Sequence, residues 1–210
     1  MIKKYWKTLV VTSIVNLLPM VMGLMLWEQL PEQMPMHWNM AGEVDGWTGK
    51  TFAVFGMPLL MVVLEWVCMF ATSTDPKNKD VHGKMMHLML WVIPAISLVL
   101  HGCVYAAALG REVEISLIVP MLLGLLFMCI GNYMPKCRQS YTIGIKLPWT
   151  LNSEENWNRT HRLGGFVWMI CGFVVLVSSF LGTVWLMIPA LVALVAVPVG
   201  YSYLLYRKGV

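Results

Sequence analysis

The 210-residue chain is 58% hydrophobic and only 12% charged, with a formal net charge of +4 at pH 7. That apolar content exceeds what a soluble domain carries, and it falls in runs of about 20 residues, the length that crosses a bilayer. A soluble globular fold is thereby excluded, and the positive excess needs no nucleic-acid partner if it marks membrane topology.

In chain order, the apolar runs cover Thr8 to Trp27, Thr51 to Thr72, Met85 to Leu109, Ile115 to Tyr133, Phe166 to Leu181 and Leu186 to Tyr206. Each approaches the length of a helix that spans about 30 Å of hydrocarbon at about 1.5 Å per residue. Open strands do not compete, because each unpaired backbone group facing lipid costs several kcal/mol. The pattern predicts an all-α integral membrane protein, a bundle of six transmembrane helices. The first run follows a basic Met1 to Lys7, but it is too long for a signal core and no small-x-small cleavage site follows Trp27, so it reads as a retained helix.

The first connection, Glu28 to Lys50, reads E-Q-L-P-E-Q-M-P-M-H-W-N-M-A-G-E-V-D-G-W-T-G-K. Pro31 and Pro35 favour an extended path, and Ala41-Gly42 and Asp45-Gly46 are turn signals, so a compact, structured loop is expected. His37 beside Trp38 and Trp47 suits ligand binding, with Glu43 and Asp45 able to attract a cationic partner. The alternative is that the tryptophans anchor at the membrane interface and the acids are solvated.

Glu65 lies inside the second run, in V-L-E-W-V. An ionisable group at that depth is costly and faces a bundle interior or a water-filled cavity. Counting from Lys7 to Asn16 and from Glu65 to Asp75 puts Asn16 and Glu65 roughly 14 Å above the same edge on antiparallel neighbours. Asn16 is therefore the expected hydrogen-bond partner of Glu65. A structural polar pair and a proton or ion relay both fit, although a relay normally needs a series of such groups.

The five cysteines are odd in number and have no repeating spacing, which argues against a disulfide framework or a zinc site. The 18 methionines read as adaptable packing. No metal set and no cofactor are expected.

The connection from Asn132 to Gly165 concentrates charge, aromatics and backbone punctuation. Pro135 ends the fourth helix, Tyr141 to Leu147 alternates around Gly144, and Pro148 biases Leu147 toward an extended conformation. A short helix is expected near Glu154, with Asn152 as N-cap and Glu155 in a capping box. Glu155 and Arg159, and likewise Trp157 and His161, are four apart and share a face. Gly164-Gly165 is expected to loosen the chain before the fifth crossing.

Lys and Arg divide 13 to 2 between the alternate sides of a six-span chain. The rich side holds Lys3, Lys4, Lys7, Lys77, Lys79, Lys84, Lys136, Arg138, Lys146, Arg159, Arg162, Arg207 and Lys208; the poor side has Lys50 and Arg111. This predicts cytoplasmic termini and a cytoplasmic fourth connection.

The string G-N-Y-M-P-K-C-R-Q-S-Y-T-I-G-I-K-L-P-W-T-L-N-S-E-E-N-W-N-R-T-H-R-L-G-G resembles the defining motif of the SdpI family, bacterial membrane proteins named for immunity to a sporulation-delaying peptide toxin. The matching positions are Gly131, Asn132, Pro135, Gly144, Ile145, Pro148, Trp149, Thr150, Leu151, Glu155, Trp157, Thr160, His161, Arg162 and Gly164, with Tyr141 in the same run. Ser140 stands where Asn is common in the family, and Leu147 where Thr is common. Leu30, Pro31, Pro35, His37, Trp38, Asn39, Gly42, Asp45, Gly46 and Trp47 are similar to the family's N-terminal module of undefined role. The division expected is residues 1–75 for that module and 76–210 for the SdpI-like module, with the motif loop at 132–165.

The resemblance implies an immunity protein that protects a bacterial plasma membrane against a secreted peptide toxin. It also implies a receptor that holds a cytoplasmic repressor protein at the membrane, without direct nucleic-acid binding. On this basis Asn132, Pro135, Tyr141, Gly144, Pro148, Trp149, Thr150, Glu155, Trp157, Thr160, His161 and Arg162 are expected at the repressor side. Pro35, His37, Trp38, Asn39, Gly42, Asp45 and Trp47 are expected to sense the peptide outside. The main alternative is a small transporter or lipid-handling protein that uses Glu65 and Asn16 within the membrane, with kinks at Pro19, Pro58, Pro94 and Pro120. An enzyme using His161, Glu155 and Asn132 is disfavoured, because no defensible nucleophile–base spacing is present.

Overall fold

The computed structural model describes residues 2–39, 41–77 and 83–210. Lys79, one of the basic loop residues, lies outside them. Among the described residues, six helices are long and apolar enough to cross a membrane. α1 (Ile2–Met25) leads to a hairpin of β1 (Gln33–Trp38) and β2 (Val44–Gly49), after which a π-helical turn, Phe52–Gly56, runs into α2 (Met57–Ser73). α3 (Gly83–Ala108) and α4 (Ile115–Tyr133) follow, and α4 closes in a 3₁₀ turn at Met134–Lys136. A short α5 (Pro148–Asn152), then α6 (Glu154–Leu181) and α7 (Val184–Arg207), complete the order. The chain is a six-span all-α membrane protein with one small β-hairpin added.

Packing groups the chain into two compact units, Met1–Phe70 with His87–Ser116, and Ala71–Met86 with Leu117–Val210. The modules expected from sequence divide at 75/76 by motif, whereas packing sets residues 87–116 with the first helices.

In the first unit, α1 buries Tyr5, Leu9, Thr12, Asn16, Pro19 and Gly23. Steps of four and three residues make one stripe along the helix, the spacing that packs against neighbouring helices. Above it, Leu30, Met34, Ala53, Val54, Val104 and Tyr105 form an apolar cluster, and the Tyr105 hydroxyl donates to Pro19 O at 2.9 Å.

In the second unit, α4 and α6 approach along facing glycines. A Cβ on Gly165 would stand 2.6 Å from Gly131 O, and one on Gly172 would stand 2.7 Å from Gly124 O. Small residues in a seam let helix backbones meet where lipid supplies no hydrophobic drive. This accounts for a departure from expectation. Gly164-Gly165 does not interrupt the chain, and the short helix expected near Glu154 is the beginning of α6, a continuous helix of 28 residues. Its N-cap is Ser153, whose Oγ accepts from Asn156 N at 3.1 Å, because Asn152 is taken up as the last residue of α5. On the other side of α6, Cys171 and Val175 pack with Ala190 and Leu194 of α7, and Trp168 Nε1 donates to Leu194 O at 3.0 Å.

Candidate functional site

The stretch from Cys137 to Leu147 has no helix or strand, so its backbone groups are tied by side chains instead. Asp75, two residues past α2, is the anchor. Its Oδ2 accepts from Ser140 Oγ at 2.6 Å, Tyr141 N at 2.8 Å, Thr142 N at 3.0 Å and Thr142 Oγ1 at 2.9 Å, while Oδ1 accepts from Lys77 N at 2.9 Å. Burial alone would raise the carboxyl's proton affinity. The bonds from Ser140 and Thr142 and from the Lys77 and Thr142 backbone outweigh it and hold Asp75 below the usual carboxylate range. Burial pushes the Cys137 thiol in the same loop up to about 11.

The short α5 leaves carbonyls without helical partners at its end. Lys77 Nζ donates to Leu151 O at 2.5 Å, and Gln139 Nε2 donates to Thr150 O at 2.8 Å and Leu151 O at 3.1 Å. At its start, Leu147 N donates to Thr150 Oγ1 at 2.9 Å, and that hydroxyl donates on to Ile145 O at 2.8 Å. Trp149 Nε1 donates to Ser202 Oγ of α7 at 3.0 Å, with its ring stacked on Tyr206 and edge-on to Tyr203.

The loop then closes on α6 at Gly144, whose φ is +112°. A Cβ there would lie 2.5 Å from His161 Nε2 and 2.7 Å from the Trp157 ring, so only glycine fits both the conformation and the space. His161 Nε2 accepts from Ile145 N at 2.9 Å, and His161 Nδ1 donates to Trp157 O at 2.8 Å. Both ring nitrogens are thus committed, in a neutral imidazole of fixed tautomer. Trp157 stacks on that ring at 3.9 Å and donates through Nε1 to Cys137 O at 2.9 Å. Asn156 Nδ2 donates to Ser202 O at 3.0 Å and Val210 O at 3.1 Å, and Thr160 Oγ1 donates to Asn156 Oδ1 at 3.1 Å.

The sequence-predicted residues of this loop therefore separate into two sets. Thr150, Trp157, Thr160 and His161 are buried, at 0–1% exposure, and Trp149 is half-buried. Asn132, Pro135, Tyr141, Gly144, Pro148, Glu155 and Arg162 are exposed, and Glu155 pairs with Arg159 at 2.6 Å. The first set, together with Gly144, fixes the loop, and the rest of the second is what this region presents.

The first connection is a hairpin with register irregularities around His37. Gly42, at φ +83°, makes the turn, where Asn39 Oδ1 accepts from Ala41 N at 2.9 Å and Glu43 N at 3.0 Å. Asp45-Gly46, expected as a second turn, lies within β2 opposite His37, because the Asn39 side chain has already reversed the chain. His37 Nδ1 and Asp45 Oδ1 form an exposed hydrogen bond across the strands. Trp47 is 59% exposed, Trp38 is half-buried and Pro35 is buried. Lys50 fixes the base of the hairpin through Glu32 at 2.8 Å, Leu30 O at 3.2 Å and the face of Trp27 at 4.7 Å.

Within the membrane, Glu65 is 1% exposed and Asn16 is 0% exposed. Asn16 Nδ2 donates to Glu65 Oε2 at 2.8 Å, and Thr12 Oγ1 bonds Glu65 Oε1. Among the described residues no group of three or more His, Cys, Asp or Glu is placed to hold a metal ion.

Sequence reasoning missed Asp75, Lys77, Gln139, Lys50 and Thr12. The first three lacked any signal beyond ordinary loop polarity, since the bonds that tie Asp75 and Lys77 to the loop and α5 span 62 to 74 residues. Thr12 was within reach, being four residues before Asn16 and thus on the same helix face.

Residues 136–202 match the SdpI/YfhL protein family, and residues 14–62 match a domain of unknown function, DUF1648. Immunity protein SdpI of Bacillus subtilis (strain 168) is 28% identical over 207 residues, which cover 95% of this chain and 96% of that protein. The chain thus carries an SdpI/YfhL family segment within a longer likeness to that immunity protein. With its six apolar helices it is a multi-pass plasma-membrane protein. No solved structure matches it. The matched SdpI segment contains Trp149 and Ser202, a bonded pair that joins α5 to α7. Asp75, which anchors the SdpI loop, lies outside both matched segments.

Proposed function

We propose that this protein is an immunity protein that protects a bacterial cell against a secreted antimicrobial peptide. The observation that carries the reading is the similarity to Immunity protein SdpI along 95% of the chain. In this proposal both termini and the 132–165 loop are cytoplasmic, as the 13 to 2 division of basic residues supports. The hairpin then faces outward and meets the peptide through His37, Trp38, Asn39, Asp45 and Trp47. Exposed aromatic surface flanked by Glu43 and Asp45 suits an apolar or cationic peptide.

The finer part of the proposal is a receptor role, in which the loop docks a repressor protein. Buried Trp157 and His161 would act as scaffold, and Tyr141, Pro148 and Arg162 would form the docking face. Signal transfer then requires that the peptide bind one state of the protein more tightly than another.

The test is survival of a susceptible bacterium expressing the chain when challenged with the sporulation-delaying peptide toxin. Raised survival is expected, and unchanged killing overturns the immunity reading. The alternative of a transporter or lipid handler is favoured by the buried Glu65, and flux in proteoliposomes that vanishes in Glu65→Gln would establish it.

A further inference from the structure

The heavy atoms around Glu65 admit two proton inventories, one for the carboxylate and one for the acid. The Thr12 hydroxyl has one proton and three acceptors in reach: Thr8 O at 2.8 Å, Leu9 O at 3.1 Å and Glu65 Oε1. The Ser13 hydroxyl sits 2.7 Å from Leu9 O, accepts from Trp66 Nε1 at 3.0 Å, and stands 3.5 Å from Glu65 Oε2. Its single proton therefore goes to the helix carbonyl. Asn16 Nδ2 supplies one firm bond to Oε2 at 2.8 Å, and Asn16 Oδ1 is buried without a partner.

If Thr12 keeps its own bond to Thr8 O, its oxygen can meet Glu65 Oε1 only as an acceptor, which needs a proton on the carboxyl. If Glu65 is ionised, Thr12 must turn its proton away from the helix. The same heavy-atom frame serves both inventories.

Among the described residues, the side chains bonded to Glu65 are those of Thr12, Ser13 and Asn16, all neutral. The other titratable groups of the unit's helices are engaged elsewhere or stand apart. Tyr5 meets the His87 ring edge-on at 5.5 Å, His101 Nδ1 donates to Ser97 O at 2.7 Å, and Tyr105 donates to Pro19 O at 2.9 Å. Lys4 lies over the Tyr5 ring, and Lys7 precedes Thr12 by about 7.5 Å of helix. Cys68 is one turn from Glu65 on the same face of α2, and buried Cys103 lies on α3. A carboxyl in a lipid-embedded helix pair whose bonded side chains are all neutral finds hydrogen-bond partners in either form at one heavy-atom geometry.

We propose that Glu65 is a proton-binding site of this protein, with the Thr12 hydroxyl as its switchable partner. On release the carboxyl O–H bond breaks and the proton passes to water. The Thr12 hydroxyl then rotates from acceptor to donor, and Asn16 holds Oε2 in both forms. The proposal is independent of the immunity reading, because it concerns occupancy of one carboxyl and not protection.

The test is infrared difference spectroscopy of the full chain in liposomes across a pH series. A protonated-carboxyl band that disappears as pH rises is expected in the wild type and is expected to be missing in Glu65→Gln. Thr12→Val removes a donor from the ionised form, so its band should persist to higher pH, by on the order of one pH unit or a tenfold change in proton affinity. Absence of any Glu65-dependent band at every pH overturns the site, and an unmoved midpoint in Thr12→Val overturns the role of the hydroxyl. Repeating the series with sodium replaced by choline should leave the midpoint in place. A midpoint that follows sodium would make this an alkali-cation site and overturn the proposal.

Discussion

The hairpin at 33–49 and the loop at 137–153 are both polar connections between apolar helices, yet they are held by different means. The hairpin pairs its own backbone, needs one Asx turn at Asn39, and leaves His37, Asp45 and Trp47 exposed. The loop pairs little backbone with backbone and relies on Asp75, Gln139, Thr150, Trp157 and His161. Three motif residues of the hairpin, His37, Asp45 and Trp47, are on display, whereas Thr150, Trp157, Thr160 and His161 of the loop are the framework itself. A long motif can mark a shape as much as a binding face.

The difference is broken most severely by Trp157→Ala. It empties a fully buried indole site and leaves Cys137 O unpaired, so a loss of about 3–5 kcal/mol is expected in detergent unfolding. Next comes Asp75→Asn. An amide nitrogen cannot accept the bonds that Oδ2 or Oδ1 takes, and about 2–3 kcal/mol should be lost by the same measurement. The pH dependence has a definite sign. Because the folded carboxyl titrates below its unfolded value, its contribution is complete above the unfolded pKa and disappears as pH falls through the folded one. Asp75→Asn should flatten that acid limb of the stability profile.

Gly165→Ala comes third, at about 1–3 kcal/mol, since its methyl would meet the Gly131 carbonyl. Its signature is separation of α4 from α6, readable by cross-linking cysteines placed on each. The smallest effect is expected from Arg162→Ala and Tyr141→Ala, within about 0.5 kcal/mol of wild type. If the exposed face docks a repressor, these same variants should lose its co-purification while remaining folded.

The six spans were legible because lipid demands long apolar helices, a constraint carried locally by each run. Asn16 with Glu65, Glu155 with Arg159 and Trp157 with His161 were also legible, through helical spacing and depth. Asp75 was not, because its partners are set by tertiary placement of a loop with no periodicity. The hairpin was foreseen only as a structured loop. His37 and Asp45 are eight residues apart, and only the strand register makes them neighbours. The continuity of α6 through Gly164-Gly165 was misread since glycine weakens an isolated helix, whereas here the missing side chains admit α4.

The central claim is that an immunity protein meets its peptide through the exposed hairpin. The most direct measurement is survival under the sporulation-delaying toxin of cells expressing wild type or Trp47→Ala at matched membrane levels. Trp47 is exposed and bears little on folding, so the account predicts that the variant is made normally and protects poorly. Protection by Trp47→Ala equal to wild type would contradict it.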